Sequence, residues 1–216
     1  MASLRHTYAS LLHSARFLWV TGLSALFLVI AIALNHRAGT YAFNNMSNGV
    51  SDLFLDHLPL VDVSLLFIDG AVLMAILILL LGFFHPRRLP SLLPNIALLY
   101  SFRAIALTLT HLGPPLSEAP PVILGDTITD RFVGGADYFF SGHTALPFII
   151  ALIFWDKLWV RYLFLALTVI FGFSALLGHL HYSIDVFVAP FMSYCAFAIC
   201  RHYWPISYQP TTGRRS

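Results

Sequence analysis

The chain has 216 residues, of which 58% are hydrophobic and only 10% are charged, and its mean hydropathy is +0.79. A soluble domain carries about 25% charged residues, so this sequence lacks the charge to cover a soluble surface and predicts an integral membrane protein. The net charge of +2 is too small to indicate a nucleic-acid partner. The two cysteines, Cys195 and Cys200, lie in one apolar run and are interpreted as small apolar side chains.

Six apolar stretches are long enough for membrane-spanning helices, which need about 20 residues. They lie at Phe17–Asn35, Val63–Phe84, Leu92–Leu112, Phe139–Trp155, Leu158–Gly178 and Ile184–Tyr203. The first stretch is too long for the apolar region of a secretory signal and is counted as a helix. The predicted fold is an all-α integral membrane protein with six transmembrane helices. Its parts are a cytoplasmic N-terminal segment (1–16), one membrane domain (17–204) and a cytoplasmic tail (205–216).

Basic residues predict the orientation, because lysine and arginine concentrate in cytoplasmic segments. With the N-terminus inside, nine of them fall in inner segments and only two, Arg37 and Arg131, in outer loops. Seven of the ten acidic residues fall in outer loops. Both termini are therefore predicted to be cytoplasmic. The start of the fourth helix and the turn between the fifth and sixth helices then reach the same outer face.

The turn between the fifth and sixth helices carries a histidine and a carboxylate at a spacing that lets their side chains form a hydrogen bond. The stretch Gly178–Val186 (GHLHYSIDV) places His181 four residues before Asp185, near the predicted start of the sixth helix. A carboxylate hydrogen-bonded to one ring nitrogen fixes the tautomer and leaves the other nitrogen basic and nucleophilic. The alternative is that Asp185 only caps the helix and His181 is an interfacial residue.

A second motif, formed by Ser141, Gly142 and His143, opens the fourth helix. A serine before a helix is a good N-cap, and free N–H groups beside a small glycine form a seat for an anion. A histidine in that seat can protonate an oxygen that leaves phosphorus. The alternative is a capping serine followed by an interfacial histidine. Together, the two motifs fit phosphoryl transfer without a metal, in which positioning and charge stabilisation do most of the work.

The motifs SGHT (Ser141–Thr144) and HYSID (His181–Asp185) resemble the type 2 phosphatidic acid phosphatase superfamily of lipid phosphatases and phosphotransferases. Three further stretches are similar, in the same order, to its sphingomyelin synthase branch. They are SDLFLDHLPLVDVSLLFIDG (Ser51–Gly70), LYSFRAIALTLTHL (Leu99–Leu112) and GGADYFFSGHT (Gly134–Thr144). The resemblance covers roughly residues 50–204. The cysteine that begins the family's third block is absent here.

The resemblance implies that His181 is a nucleophile that attacks the headgroup phosphorus and forms a phosphohistidine, with Asp185 orienting it. His143 then protonates the departing glycerolipid oxygen and later deprotonates the acceptor hydroxyl. The implied partners are a phospholipid donor of phosphocholine or phosphoethanolamine and an acceptor that is either a lipid hydroxyl, such as that of ceramide, or water. No cofactor or metal is implied. The family's site faces the lumen or the exterior, and the oligomeric state stays open.

One departure from the wider superfamily bears on the substrate. Its members usually carry an arginine six residues before the nucleophilic histidine, within a Ser-Arg pair, whereas this chain has Ser174-Ala175. A phosphomonoester is close to a dianion at neutral pH, while a phosphodiester has one negative charge on phosphorus. The missing cation favours transfer or release of a headgroup over dephosphorylation of phosphatidate.

Arg103 lies inside the third predicted helix and is interpreted, with Ser141 and Gly142, as a phosphate ligand. An intramembrane arginine costs about 2.5–3.5 kcal/mol on insertion scales and by default serves a partner. The alternative partner is Asp69 in the second helix. Three residues are weaker candidates for binding the headgroup: Asp69, Asp137 and Tyr138.

Two other functions compete with headgroup transfer. The first is a phosphatidate-type lipid phosphatase. The second is a small ion or proton transporter in which Asp69, Arg103 and the histidines line a path, although no internal repeat supports it. A zinc site formed by His143, His181 and Asp185 is disfavoured because it would leave Ser141 and Gly142 without a role.

Overall fold

The computed structural model describes residues 2–115 and 139–204, and within these ranges the secondary structure is helical, without strands. The α-helices are α1 (Ala2–Leu12), α2 (Ala15–Asn44), α3 (Gly70–Phe84), α4 (Leu89–Leu109), α5 (Gly142–Ile153), α6 (Leu158–Leu177) and α7 (Ser183–Tyr203). A π-helical turn, Leu65–Asp69, leads into α3, and a 3₁₀ turn, Pro86–Arg88, leads into α4.

Five of these helical segments are long and apolar enough to cross a membrane: Ala15–Asn44, Leu65–Phe84, Pro86–Leu109, Leu158–Leu177 and Ser183–Tyr203. Many of their large apolar side chains are exposed, such as Trp19 and Leu79. Described segments that are all helical and have such an apolar surface fit a multi-pass membrane protein, because lipid takes the place of water around it.

The fourth predicted span is shorter than its apolar run suggests. The run Phe139–Trp155 forms α5, which has only 12 residues and is about 18 Å long at 1.5 Å per residue. The hydrocarbon core of a bilayer is about 30 Å thick. The helix begins at Gly142 because Ser141 caps it. The count of six spans and the orientation of the termini therefore stay predictions.

Helix α2 is longer than predicted and packs closely on α4. Its apolar part was expected to end at Asn35, but the helix continues to Asn44. The added turns bury Ala38 and Ala42 against Ala104 and Leu107 of α4. Small side chains let two membrane helices approach closely, so this packing sustains the helix beyond its apolar segment.

At the end of the bundle that carries the α4 N-terminus, Arg88 joins three elements. Its guanidinium donates to both carboxylate oxygens of Asp156, at 2.6 and 2.5 Å, and to the carbonyl oxygen of Ile153 at 2.5 Å. It also lies over the ring of Phe154, 4.8 Å from the centroid. Arg88 thus satisfies a carbonyl at the C-terminus of α5 and ties it to the start of α4.

We expect this ion pair to make stability fall in acid. Partial burial acts to raise the pKa of Asp156, but the hydrogen bonds and charge of Arg88 outweigh it and hold the pKa below its usual value. A carboxyl whose pKa is lowered in the folded state adds stability above its unfolded pKa and loses it as pH falls through the folded pKa. Between about pH 5 and pH 3, the melting temperature in detergent should fall less for Asp156→Asn than for the wild type, by about 1–3 °C. Equal slopes would contradict this account.

Candidate active site

The first turn of α5 is held by Ser141 and Arg103. Ser141 is fully buried, and its Oγ accepts a hydrogen bond from the N–H of Thr144 at 3.4 Å, so it acts as the N-cap. Phe140, just before it, has a φ of 29°, a conformation that side chains rarely adopt. The Nη1 group of Arg103 donates to the carbonyl oxygen of Phe140 at 2.5 Å. This contact braces the chain where it turns into the helix.

The guanidinium of Arg103 also lies against Gly142. A Cβ atom added to Gly142 would be 3.1 Å from Nη1 and 3.3 Å from Cζ of Arg103. Arg103 itself is buried. The backbone N–H groups of Gly142 and His143 have no acceptor within the described part of the chain. A fixed positive charge therefore lies beside the open amides of a helix N-terminus, an arrangement suited to an anion.

The imidazole of His143 packs against aromatic rings. Its centroid lies 3.8 Å from that of Phe67, at an interplanar angle of 33°, and 5.9 Å from that of Phe171. Phe67 belongs to the π-helical turn before α3 and is buried. Phe67 holds one face of the imidazole and limits the orientations that the ring can adopt.

His181 and Asp185 face each other at the start of α7. His181 Nδ1 lies 3.5 Å from Asp185 Oδ2, and both side chains are almost completely buried. The same oxygen accepts the N–H of Tyr182 at 3.0 Å. Asp185 therefore caps the helix and faces the histidine at the same time. Its role as a helix cap and its role as the partner of His181 are compatible. The 3.5 Å separation is long for a hydrogen bond, and such contacts often tighten only when substrate is bound.

A backbone hydrogen bond joins the two motifs. The N–H of Ser141 donates to the carbonyl oxygen of Asp185 at 3.2 Å, which brings the starts of α5 and α7 together. His143 follows Gly142, against which the Arg103 guanidinium lies, in the first turn of α5. One end of the bundle thus gathers two imidazoles, a carboxylate, a guanidinium and a helix N-terminus.

Of the three weaker candidates, the structure describes only Asp69, which does not join this cluster. Asp137 and Tyr138 lie outside the described residues. Asp69 is exposed, and no residue that the structure describes forms an ion pair with it. Phe67, two positions earlier, and Gly70, one position later, face His143 and Phe171, so Asp69 points away from them. The Asp69–Arg103 pair, which was the alternative role for Arg103, is not formed.

Sequence reasoning missed three contributors to the site. Phe67 stacks on His143, and Asp52 accepts hydrogen bonds from the first residue of α7. Tyr182 is buried, and its hydroxyl donates to the carbonyl oxygen of Gly113. Phe67 and Asp52 both fall in Ser51–Gly70, one of the stretches on which the family resemblance was based in the sequence analysis. That similarity is the signal that could have pointed to them.

A comparison with known protein families matches residues 134–203 to the PAP2 superfamily C-terminal domain. No curated protein and no solved structure matches the chain. The matched stretch is about a third of the chain and contains both histidine motifs. This match supports a place for the protein in the PAP2 superfamily and, with it, an activity of the lipid phosphatase or phosphotransferase type.

Proposed function

We propose that the protein is a membrane phosphotransferase that removes the headgroup phosphate of a glycerophospholipid and passes it to a lipid hydroxyl or to water, releasing diacylglycerol. The donor carries phosphocholine or phosphoethanolamine. The observation that carries the proposal is the Arg103 guanidinium against Gly142, in a helix start bonded to Asp185 beside His181. The proposed anion-binding site at the start of α5 and the candidate nucleophile His181 therefore lie at the same end of the bundle.

The reaction has two steps. With Nδ1 of His181 directed at Asp185, Nε2 attacks phosphorus, the bond from phosphorus to the diacylglycerol oxygen breaks, and His143 gives that oxygen a proton. In the second step His143 takes the proton of the acceptor hydroxyl. That oxygen then displaces His181 and carries the phosphocholine or phosphoethanolamine group away. Arg103 and the amides of Gly142 and His143 offset the negative charge that builds on phosphorus.

The preference for a diester is supported at Ala175. This position, six residues before His181, is fully buried and carries a methyl group where the wider superfamily carries arginine. Within the described residues, Arg103 is then the cation close to the first turn of α5. A site with one arginine fewer than the wider superfamily suits the single negative charge of a diester better than the two charges of a monoester.

The depth of the cluster supports a site at the level of lipid headgroups. The apolar part of α2, residues 17–35, is about 28 Å long at 1.5 Å per residue and is followed by exposed His36 and Arg37. Ala38 and Ala42, the next inward-facing residues, pack on Ala104, the neighbour of Arg103. With the orientation predicted from the basic residues, this headgroup level belongs to the non-cytoplasmic side.

The proposal is tested by presenting purified protein with phosphatidylcholine, phosphatidylethanolamine and phosphatidate in separate mixed micelles, with and without ceramide. Mass spectrometry would follow diacylglycerol and any headgroup-bearing ceramide, and a colorimetric assay would follow inorganic phosphate. We expect diacylglycerol from a diester. Phosphate release from phosphatidate alone would replace the proposal with a lipid phosphate phosphatase. Proton flux into vesicles without any lipid turnover would favour a transporter.

A further inference from the structure

Asp52 is bonded across the molecule to the first residue of α7. Its Oδ2 accepts from both the N–H and the Oγ of Ser183, each at 2.8 Å. Its Oδ1 accepts from the N–H groups of Phe54 and Leu55 at 3.0 and 3.2 Å. Burial acts to raise the pKa of Asp52, but these hydrogen bonds outweigh it and leave the pKa below its usual value. The carboxylate is therefore ionised at neutral pH.

The same segment contacts the His181 turn at further points. The N–H of Val50 donates to the Tyr182 hydroxyl at 3.1 Å, and that hydroxyl donates to the carbonyl oxygen of Gly113 at 2.9 Å. The N–H of Val61 donates to the carbonyl oxygen of Leu177 at 2.8 Å. Residues 50–61 thus bracket the turn on both sides of His181, and Asp52 supplies the charged contact.

The position of Ser183 means that its hydrogen bonds to Asp52 also restrain His181 and Asp185. It lies two residues after His181 and two before Asp185, and its N–H is one of the donors that a helix N-terminus leaves without an intrahelical acceptor. A carboxylate at that end of a helix is also favoured by the helix dipole. The anchor at Ser183 therefore limits fraying of the turn that sets the 3.5 Å approach of His181 to Asp185.

We propose that Asp52 is a positioning residue that fixes the first turn of α7. It thereby holds His181 and Asp185 in a fixed position relative to the first turn of α5. The kinetic part of this inference rests on the proposed function. The structural part does not, because it concerns the order of one helix start.

The chain offers a matched control in Asp62. Its Oδ1 accepts from the N–H and Oγ of Ser64, at 2.9 and 2.6 Å. The chemistry is the same carboxylate–serine pair, but both partners lie together at the start of the π-helical turn that leads into α3. Replacing Asp62 perturbs a carboxylate–serine pair of the same kind as Asp52 and Ser183, but one that does not involve α7.

The experiment compares wild type, Asp52→Asn and Asp62→Asn in the same detergent. Hydrogen exchange by mass spectrometry reads the peptide that contains residues 179–186, and lipid turnover gives kcat and KM. We expect Asp52→Asn to speed exchange in that peptide about tenfold and to lower kcat about tenfold, with KM within about twofold. Asp62→Asn should leave exchange in the peptide and kcat unchanged.

The outcomes separate the two proposals. Unchanged exchange in Asp52→Asn, or equal changes in both variants, would overturn the role of Asp52. Wild-type protein that turns over no lipid would overturn the proposed function, while the exchange comparison would still decide the structural part. If Asp52→Asn fails to fold, Ser183→Ala removes only the hydroxyl contact, and a smaller rise in exchange in the same peptide is expected. No rise would count against the proposal.

Discussion

Replacing His181 with asparagine is expected to lower lipid turnover by on the order of 10⁴-fold or more, because the substitution removes the proposed nucleophile while its partners stay in place. His181 is buried beside Asp185, the carboxylate proposed to orient it, whereas the proposed role of His143 is to transfer protons. Asparagine keeps a polar side chain, so we expect the protein to fold and to elute as the wild type does in size-exclusion chromatography.

His179 provides a neighbouring control. It lies in the same turn, with its Nε2 3.3 Å from the carbonyl oxygen of Leu58, and its φ of 48° suits asparagine. His179→Asn removes an imidazole from this turn but not from the reactive cluster. Its turnover should stay within about threefold of the wild type.

A trapping experiment measures the intermediate directly. Protein quenched during turnover of phosphatidylcholine labelled in its headgroup phosphate should carry label that survives base and is lost in acid, as a phosphorus–nitrogen bond is. The label should be absent from His181→Asn and present in His179→Asn. Undiminished label in His181→Asn would remove His181 from the role of nucleophile.

The parts of the fold that could be predicted are those determined by residues close together in the sequence. Uninterrupted apolar runs placed α6 and α7 within a residue or two of their observed bounds, Leu158–Leu177 and Ser183–Tyr203. The approach of His181 to Asp185 follows from their spacing of four across a helix start. Serine at position 141 predicted an N-cap, and the cap is observed.

The parts that could not be predicted depend on packing between distant segments. Nothing near position 35 indicates that α2 continues to Asn44, since its support comes from Ala104 and Leu107 of α4. An intramembrane aspartate suggested a partner for Arg103, but the π-helical turn directs Phe67 toward His143 and leaves Asp69 exposed. Side-chain direction at a helix start depends on the local winding, which composition does not report.

Gly142 tests whether Arg103 acts on phosphate. We expect Gly142→Ala to lower kcat/KM about tenfold to a hundredfold, because the added methyl group would lie 3.1 Å from Nη1 of a guanidinium that is buried and bonded to Phe140. Such a contact forces a shift of a few tenths of an ångström, and misplacement by about 1 Å can cost 10²-fold in rate. Folding should not suffer, since alanine is favoured over glycine in a helix by roughly 0.5–1 kcal/mol.

Two further variants separate displacement of Arg103 from other effects of the methyl group. Gly22→Ala in α2 meets no atom within 4 Å and should leave turnover unchanged. In an Arg103→Met background, Gly142→Ala should cost little more, because the group that it displaces is already gone and the two substitutions are then strongly non-additive. Full additivity would mean that the glycine serves the approach of substrate to the amides of α5 rather than the position of Arg103. Unchanged turnover in Gly142→Ala alone would argue against an anion seat at this helix start.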